Sequence, residues 1–180
     1  MSLGFTGGAN TSSYSNIDAA YWLNPTIEYN IYPYSESTRR ELRFKYRVGY
    51  TINQYEEITV YDKTEENLLK QALDIEYELK QPWGSVELEG TASHYFHDLS
   101  KNRFDVHGNI SWKIIKGLSF NVRGNYSLIH DQLSLPKGVA TQEEILLHRK
   151  QLATQYNYYA SMGISYTFGS IYNNIVNPRF

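Results

Sequence analysis

The feature that most constrains this chain is a strict two-residue alternation of apolar and polar side chains, sustained for longer than an ordinary strand requires. After Arg103, the residues Phe104, Val106, Gly108, Ile110, Trp112 and Ile114 share one face, and Asp105, His107, Asn109, Ser111 and Lys113 share the other. Successive side chains of a strand point to opposite sides, so this is the period of an extended chain with one apolar face. Lys116-Gly117 then turns the chain. Leu118, Phe120, Val122, Gly124, Tyr126 and Leu128 next oppose Ser119, Asn121, Arg123, Asn125 and Ser127, which predicts a long hairpin.

The same parity recurs along the chain. Leu42 to Ile52 sets aliphatic and aromatic residues against Arg43, Lys45 and Arg47; Leu73 to Leu79 opposes Asp74, Glu76 and Glu78; Val86 to Ala92 opposes Glu87 and Glu89. Tyr158 to Phe168 alternates with small polar residues, Ile27 to Ile31 brackets Glu28 and Asn30, and a weaker Leu3 to Ala9 completes a predicted set of eight strands. The links alternate in length: short at 35–39, 81–84 and 116–117, long at 11–21, 54–67 and 131–155, with a shorter link at 99–102. Thr141-Gln142-Glu143-Glu144 is a capping box, which predicts a short helix within the longest link.

Composition narrows the function classes. A chain of 180 residues suits one domain. Its 17 tyrosines favour sheet. A net charge of −2, with no basic stripe, argues against nucleic acid as a partner. The absence of cysteine excludes a disulfide framework, a thiol nucleophile and thiolate metal ligands. No run of about 18 apolar residues offers a transmembrane helix. The mean hydropathy of −0.52 resembles that of a soluble protein, but hydropathy averages to nothing in a membrane barrel, where polar and apolar faces alternate. The opening Met1-Ser2-Leu3-Gly4-Phe5 carries no basic segment and no apolar h-region, so an export leader is expected to lie outside this sequence.

Alternation alone fits a soluble lipocalin-like barrel with an apolar cavity as well as a membrane barrel with a polar interior. Three observations favour the membrane. The alternating runs reach the roughly ten residues that cross a bilayer at a tilt, against about five or six in globular strands. Tyr50, Phe96, Phe104, Tyr126 and Tyr158 gather towards one rim, and Trp112, Tyr166 and Phe168 towards the other, as interfacial aromatic girdles do. Arg43, Lys45 and Arg47 fall between Glu28 on one neighbouring strand and Asp74, Glu76 and Glu78 on the next, so opposite charges face each other across the sheet. Glu87, Glu89, Asp105, Lys113 and Arg123 extend this expected luminal charge network.

The expected fold is therefore all-β: a transmembrane antiparallel up-and-down β-barrel, most simply of eight strands, with short periplasmic turns and long extracellular loops. Residues 1–170 would form the barrel and 171–180 a periplasmic or luminal tail. An eight-stranded ring is only wide enough for its own side chains, so the charges would plug it.

Tyr158 to Phe168, with an aromatic in last place, resembles the terminal strand by which outer-membrane proteins are inserted, although Pro178 breaks the pattern beyond it. Together with Tyr34–Leu42 (YSESTRREL), Lys80–Glu87 (KQPWGSVE) and Asp131–Gly138 (DQLSLPKG), it resembles the C-terminal barrel region of a family of uncharacterised Gram-negative outer-membrane β-barrel proteins. The likeness covers most of the chain. It implies further N-terminal sequence, a periplasmic portion and additional strands, and it implies no activity.

The functional expectation is a bacterial outer-membrane barrel with a structural, anchoring or loop-mediated interaction role. It contacts outer-membrane lipid, with a protein partner possible at extracellular loops 54–67 and 131–155. The alternatives are a passive pore, if the native ring has more strands, and a lipid-modifying enzyme. His94, His97, Asp98, Ser127, His130 and Asp131 fall near the loop rim, but parity sends His94 and His130 outward and His97 inward, so no catalytic group is assigned. No cofactor or metal is expected.

Overall fold

Alternating aromatic and β-branched residues favour extended backbone, and the computed structural model of this chain, which describes residues 1–138 and 155–168, is built almost wholly from it. Among the described residues there are eight strands: β1 (Ser2–Ser12), β2 (Ile17–Asn30), β3 (Arg40–Tyr55), β4 (Glu65–Gln81), β5 (Gly84–Tyr95), β6 (Asn102–Ile115), β7 (Leu118–Ile129) and β8 (Gln155–Tyr166). They lie in one antiparallel sheet in chain order, the up-and-down arrangement expected from the sequence. No helix among the described residues is long and apolar enough to cross a membrane, which says nothing about crossing by strands.

Several boundaries differ from the sequence expectation. The link placed at 11–21 shrinks to a single 3-10 turn, Ser13–Ser15, closed by Asn16 in the left-handed conformation (φ 57°). Irregularities between Asn10 and Ser12 and between Ile17 and Ala19 break the pairing there, so parity gave no signal. The link placed at 54–67 narrows to 56–64, because β4 begins at Glu65. The link placed at 35–39 widens to 31–39 around a 3-10 turn at Tyr34–Glu36, leaving 82–83 and 116–117 as the two tight turns on that rim. The predicted helix after Thr141 and the tail 171–180 lie outside the described residues.

The strands are staggered. One continuous row of paired residues runs Tyr29, Phe44, Ile75, Gly90, Val106, Tyr126, Tyr158 across β2 to β8. It starts beside Asn30, the turn-side end of β2, and finishes near the loop-side ends of β7 and β8. Such a climb means that the strands tilt against the axis about which the sheet curls, the geometry that barrel walls require. Consistent with that curl, side chains from β2 through β6 surround one cavity on the polar face.

The sheet order ends at β1 and β8, and no pairing joins these two strands among the described residues. Both are exposed along nearly their whole length on both faces. His107 and Arg123 on the polar face are also exposed, more than an eight-stranded ring packed around its own side chains allows.

Candidate functional site

The polar, inner face carries three zones from one rim to the other. Nearest the tight turns is a charged band. Arg43 pairs directly across from Glu76 (3.2 Å) and reaches Glu28 at 3.8 Å. Its Nε also lies 2.6 Å from Glu41 Oε1, an ionic contact that lacks hydrogen-bond geometry. Lys45 and Arg47 bypass the residues directly opposite and bind diagonally, Lys45 to Glu76 at 2.5 Å and Arg47 to Asp74 at 3.0 Å. Asp74 accepts a second bond from Thr91 (2.7 Å). The diagonal contacts follow from the sheet twist, which brings two-apart neighbours within reach of long side chains.

Not every charge expected in this band finds an opposite. Glu78 pairs with Lys80 on its own strand, and Glu87 accepts from Asn109 (3.0 Å). Asp105 holds Arg103, two residues away, at 2.7 Å. Glu89, Lys113 and Arg123 form no ion pair among the described residues. Instead Glu76 faces Glu89, and Glu78 faces both Glu41 and Glu87, so the turn-side end of this face is a carboxylate-rich surface. Like charges placed opposite one another destabilise a sheet modestly, so this surface favours positive counter-charge.

The middle zone is a dish. It is lined by the small buried residues Gly49, Ala72 and Ser93, by the aromatic residues Trp22 and Tyr95, and by the cations Arg47, Lys70 and Arg103. Its volume is about 370 Å³. The Asn24 amide lies over Gly49: a Cβ there would meet Asn24 Oδ1 at 2.3 Å, so a side chain at this position would turn the Asn24 amide aside.

The third zone is a cap at the loop rim. Asn16 is 4% exposed, and its side chain makes three bonds: Nδ2 donates to the carbonyls of Glu57 (3.0 Å) and Ser134 (2.8 Å), and Oδ1 accepts from Glu57 N–H (2.8 Å). The link 56–64 pairs with the segment after Asp131 through Val60 N–H to Leu135 O (2.9 Å), Lys137 N–H to Ile58 O (2.8 Å) and a Thr59–Pro136 bridge. Lys137 and Asp62 close this contact at 2.5 Å, and Asp131 binds Lys70 of the inner face at 2.9 Å. Ile17, Ala20, Tyr55, Val60, Leu68 and Leu133 are buried at this end, so the largest share of the apolar core lies under the cap rather than along the sheet.

Two rim carboxylates are tuned by their own links. In 96–101, Ser100 donates its N–H (2.9 Å) and its hydroxyl (2.7 Å) to Asp98, holding that carboxyl below its ordinary value. Hydrogen bonding from Arg40 lowers Glu36 in the same way.

The outer face is apolar and open. Side chains such as Phe5, Leu23, Ile75, Ile110 and Met162 are exposed although they are large and aliphatic or aromatic. All eight expected girdle residues, Tyr50, Phe96, Phe104, Trp112, Tyr126, Tyr158, Tyr166 and Phe168, are exposed. Tyr126 faces Tyr158, Trp112 faces Phe120, and Tyr166 packs edge-on to Phe168 with ring centroids 4.4 Å apart.

One polar cluster interrupts this face: Tyr46 donates to Gln71 (2.5 Å), Gln71 meets His94 Nε2 (2.5 Å), and His130 Nδ1 meets Asn102 (3.1 Å). His94 and His130 thus share a face through Asn102, engaged by amides and not by a serine. The dish, the cap and this cluster were not anticipated from parity, which assigns a face but not a neighbour three strands away. Comparison with family models, with curated proteins and with solved structures returned no match.

Proposed function

We propose that the chain forms the wall of a bacterial outer-membrane β-barrel, with an anchoring or interaction role carried by its capped loop rim. The observation that carries this reading is the outer face. Large apolar side chains remain exposed on every strand, while the charges collect on the other side of the same sheet. Water-soluble proteins rarely expose apolar patches beyond a few hundred Å², and lipid is the solvent for which such a face is suited. The class of protein is a membrane β-barrel, without enzymatic activity; outer-membrane lipid is its environment, and a protein partner would meet the loop side.

A second reading, a passive pore, is favoured by one specific observation. The edges β1 and β8 are not paired with each other among the described residues, and inner side chains stay partly exposed. Unpaired backbone groups are costly in hydrocarbon, so spanning sheets close; a ring of more than eight strands would close around these eight and leave an aqueous lumen. Heat-modifiability on gels after folding into detergent tests the membrane reading, and a stable soluble monomer in plain buffer would overturn it. Planar-bilayer recording separates the two: steady conductance steps support the pore, and silence supports the plugged wall.

A further inference from the structure

We infer that the dish on the inner face is a binding site for a neutral sugar. Its cavity of about 370 Å³ lies in the range of small-molecule sites. Two aromatic residues, Trp22 and Tyr95, line it; Lys70 Nζ already stands over the Tyr95 ring at 5.2 Å, so the Trp22 ring is the one against which a pyranose can lay its apolar C–H face. Gly49, Ala72 and Ser93 present only small side chains to it, which leaves room for a ring beside Trp22.

The charge pattern selects the ligand class. Each cation at the margin is already held by a carboxylate: Arg47 by Asp74, Lys70 by Asp131 and Arg103 by Asp105. The dish is therefore close to neutral and offers no spare cation to an anion, nor a spare carboxylate to a cation. Three neutral groups that line it, the amide of Asn24 and the hydroxyls of Thr51 and Ser93, have no hydrogen-bond partner among the described residues. Polar groups with both donor and acceptor capacity, lying beside aromatic rings, are what an uncharged polyhydroxylated ring requires. Lys70 is tied to the cap segment through Asp131, so the cap closes the loop side of the dish and entry is from the turn side. The inference does not rest on the membrane reading, because the dish belongs to the concave face in either solvent.

The test uses the whole chain folded in detergent, with Trp83→Phe and Trp112→Phe so that emission reports Trp22 alone. Methyl glucopyranoside, methyl galactopyranoside and N-acetylglucosamine are titrated, with glucuronate and inorganic phosphate alongside. At least one neutral sugar is expected to give a saturable change at millimolar concentration. Ala72→Leu, which puts a larger side chain into the dish, should raise the half-saturation by about tenfold or more. Asn24→Ala removes a partnerless amide without burying anything new, and should weaken binding while leaving the folded gel band unchanged. The inference is overturned if no neutral sugar gives a saturable response, if phosphate or glucuronate binds more tightly, or if both variants titrate like the parent. Heat-modifiability reports separately on the membrane reading, so the two can fail independently.

Discussion

Replacing Asn16 by alanine tests whether the cap is held by one side chain. Asn16 makes three hydrogen bonds to the backbone of Glu57 and Ser134, and it does so from a left-handed conformation. Three bonds at about 1 kcal/mol each, plus about 1 kcal/mol for a Cβ-bearing residue that lacks asparagine's local bonds in that conformation, give about 4 kcal/mol. If all of it falls on local opening of the cap, the opening constant rises by roughly a thousandfold. Amide hydrogen exchange reads this directly at Val60 and Lys137, whose N–H groups bridge the two cap segments, and at Glu57, whose N–H loses its acceptor. Asn16→Gly keeps the left-handed backbone and should recover about 1 kcal/mol of the loss. Unchanged protection of Val60 and Lys137 in Asn16→Ala would refute the reasoning, because the cap would then be held by its own strand-like pairing.

Other expectations follow from the faces and edges of the sheet. Leu73→Arg on the outer face should destabilise the bilayer-folded protein by about 2–4 kcal/mol, while His107→Arg on the inner face changes it little; equal effects in urea titrations would reverse the assignment of faces. Thr6→Cys with Ser161→Cys places thiols on β1 and β8 in a chain with no native cysteine. Disulfides need Cα atoms within about 7 Å, so mild oxidation should leave the monomer uncrosslinked, and a fast-migrating crosslinked monomer would show the eight strands to be a closed ring. Asp98 titrates below its ordinary value because of Ser100. Its contribution to the 96–101 link is therefore present above the unfolded value and fades as pH falls through the folded one. Ser100→Ala should move the Asp98 titration upward when followed by carbon NMR, and no movement would remove Ser100 as the cause.

Much of the fold was legible because a period of two needs no knowledge of distant residues. Phe104 to Ile114 and Leu118 to Leu128 each declare their own faces, but the two-residue turn at Lys116-Gly117 alone leaves those faces one residue out of step, and a bulge between Lys113 and Ile115 sets the register in which Trp112 faces Phe120. The placement of Arg43, Lys45 and Arg47 between acidic neighbours followed from pairing adjacent strands, although the diagonal choice of Glu76 and Asp74 needed the twist. Legibility failed where the inner face turns apolar. Leu68 lies beside Leu69 and points under the cap, so the start of β4 looked like a loop. Asn16 looked like a loop residue of no consequence, because its partners lie far along the chain, beyond any local pattern. The dish was equally hidden, since Gly49, Ala72 and Ser93 read as weak strand positions until three strands are laid side by side.

The strict chain order of the strands also has a kinetic meaning. Every pairing between the eight strands joins sequence neighbours, so the sheet can zip up one hairpin at a time, and only the cap bridge of Thr59 with Pro136 needs a distant partner. The tight turns at 82–83 and 116–117 make β4 with β5 and β6 with β7 the quickest pairs to meet. The join from Ile129 to Gln155 spans the longest link, and each doubling of loop length adds about 0.6 kcal/mol of closure entropy. β8 is then the last described strand to dock, and until it does, the edge of β7 is the place where an assembling sheet is most open to a wrong strand.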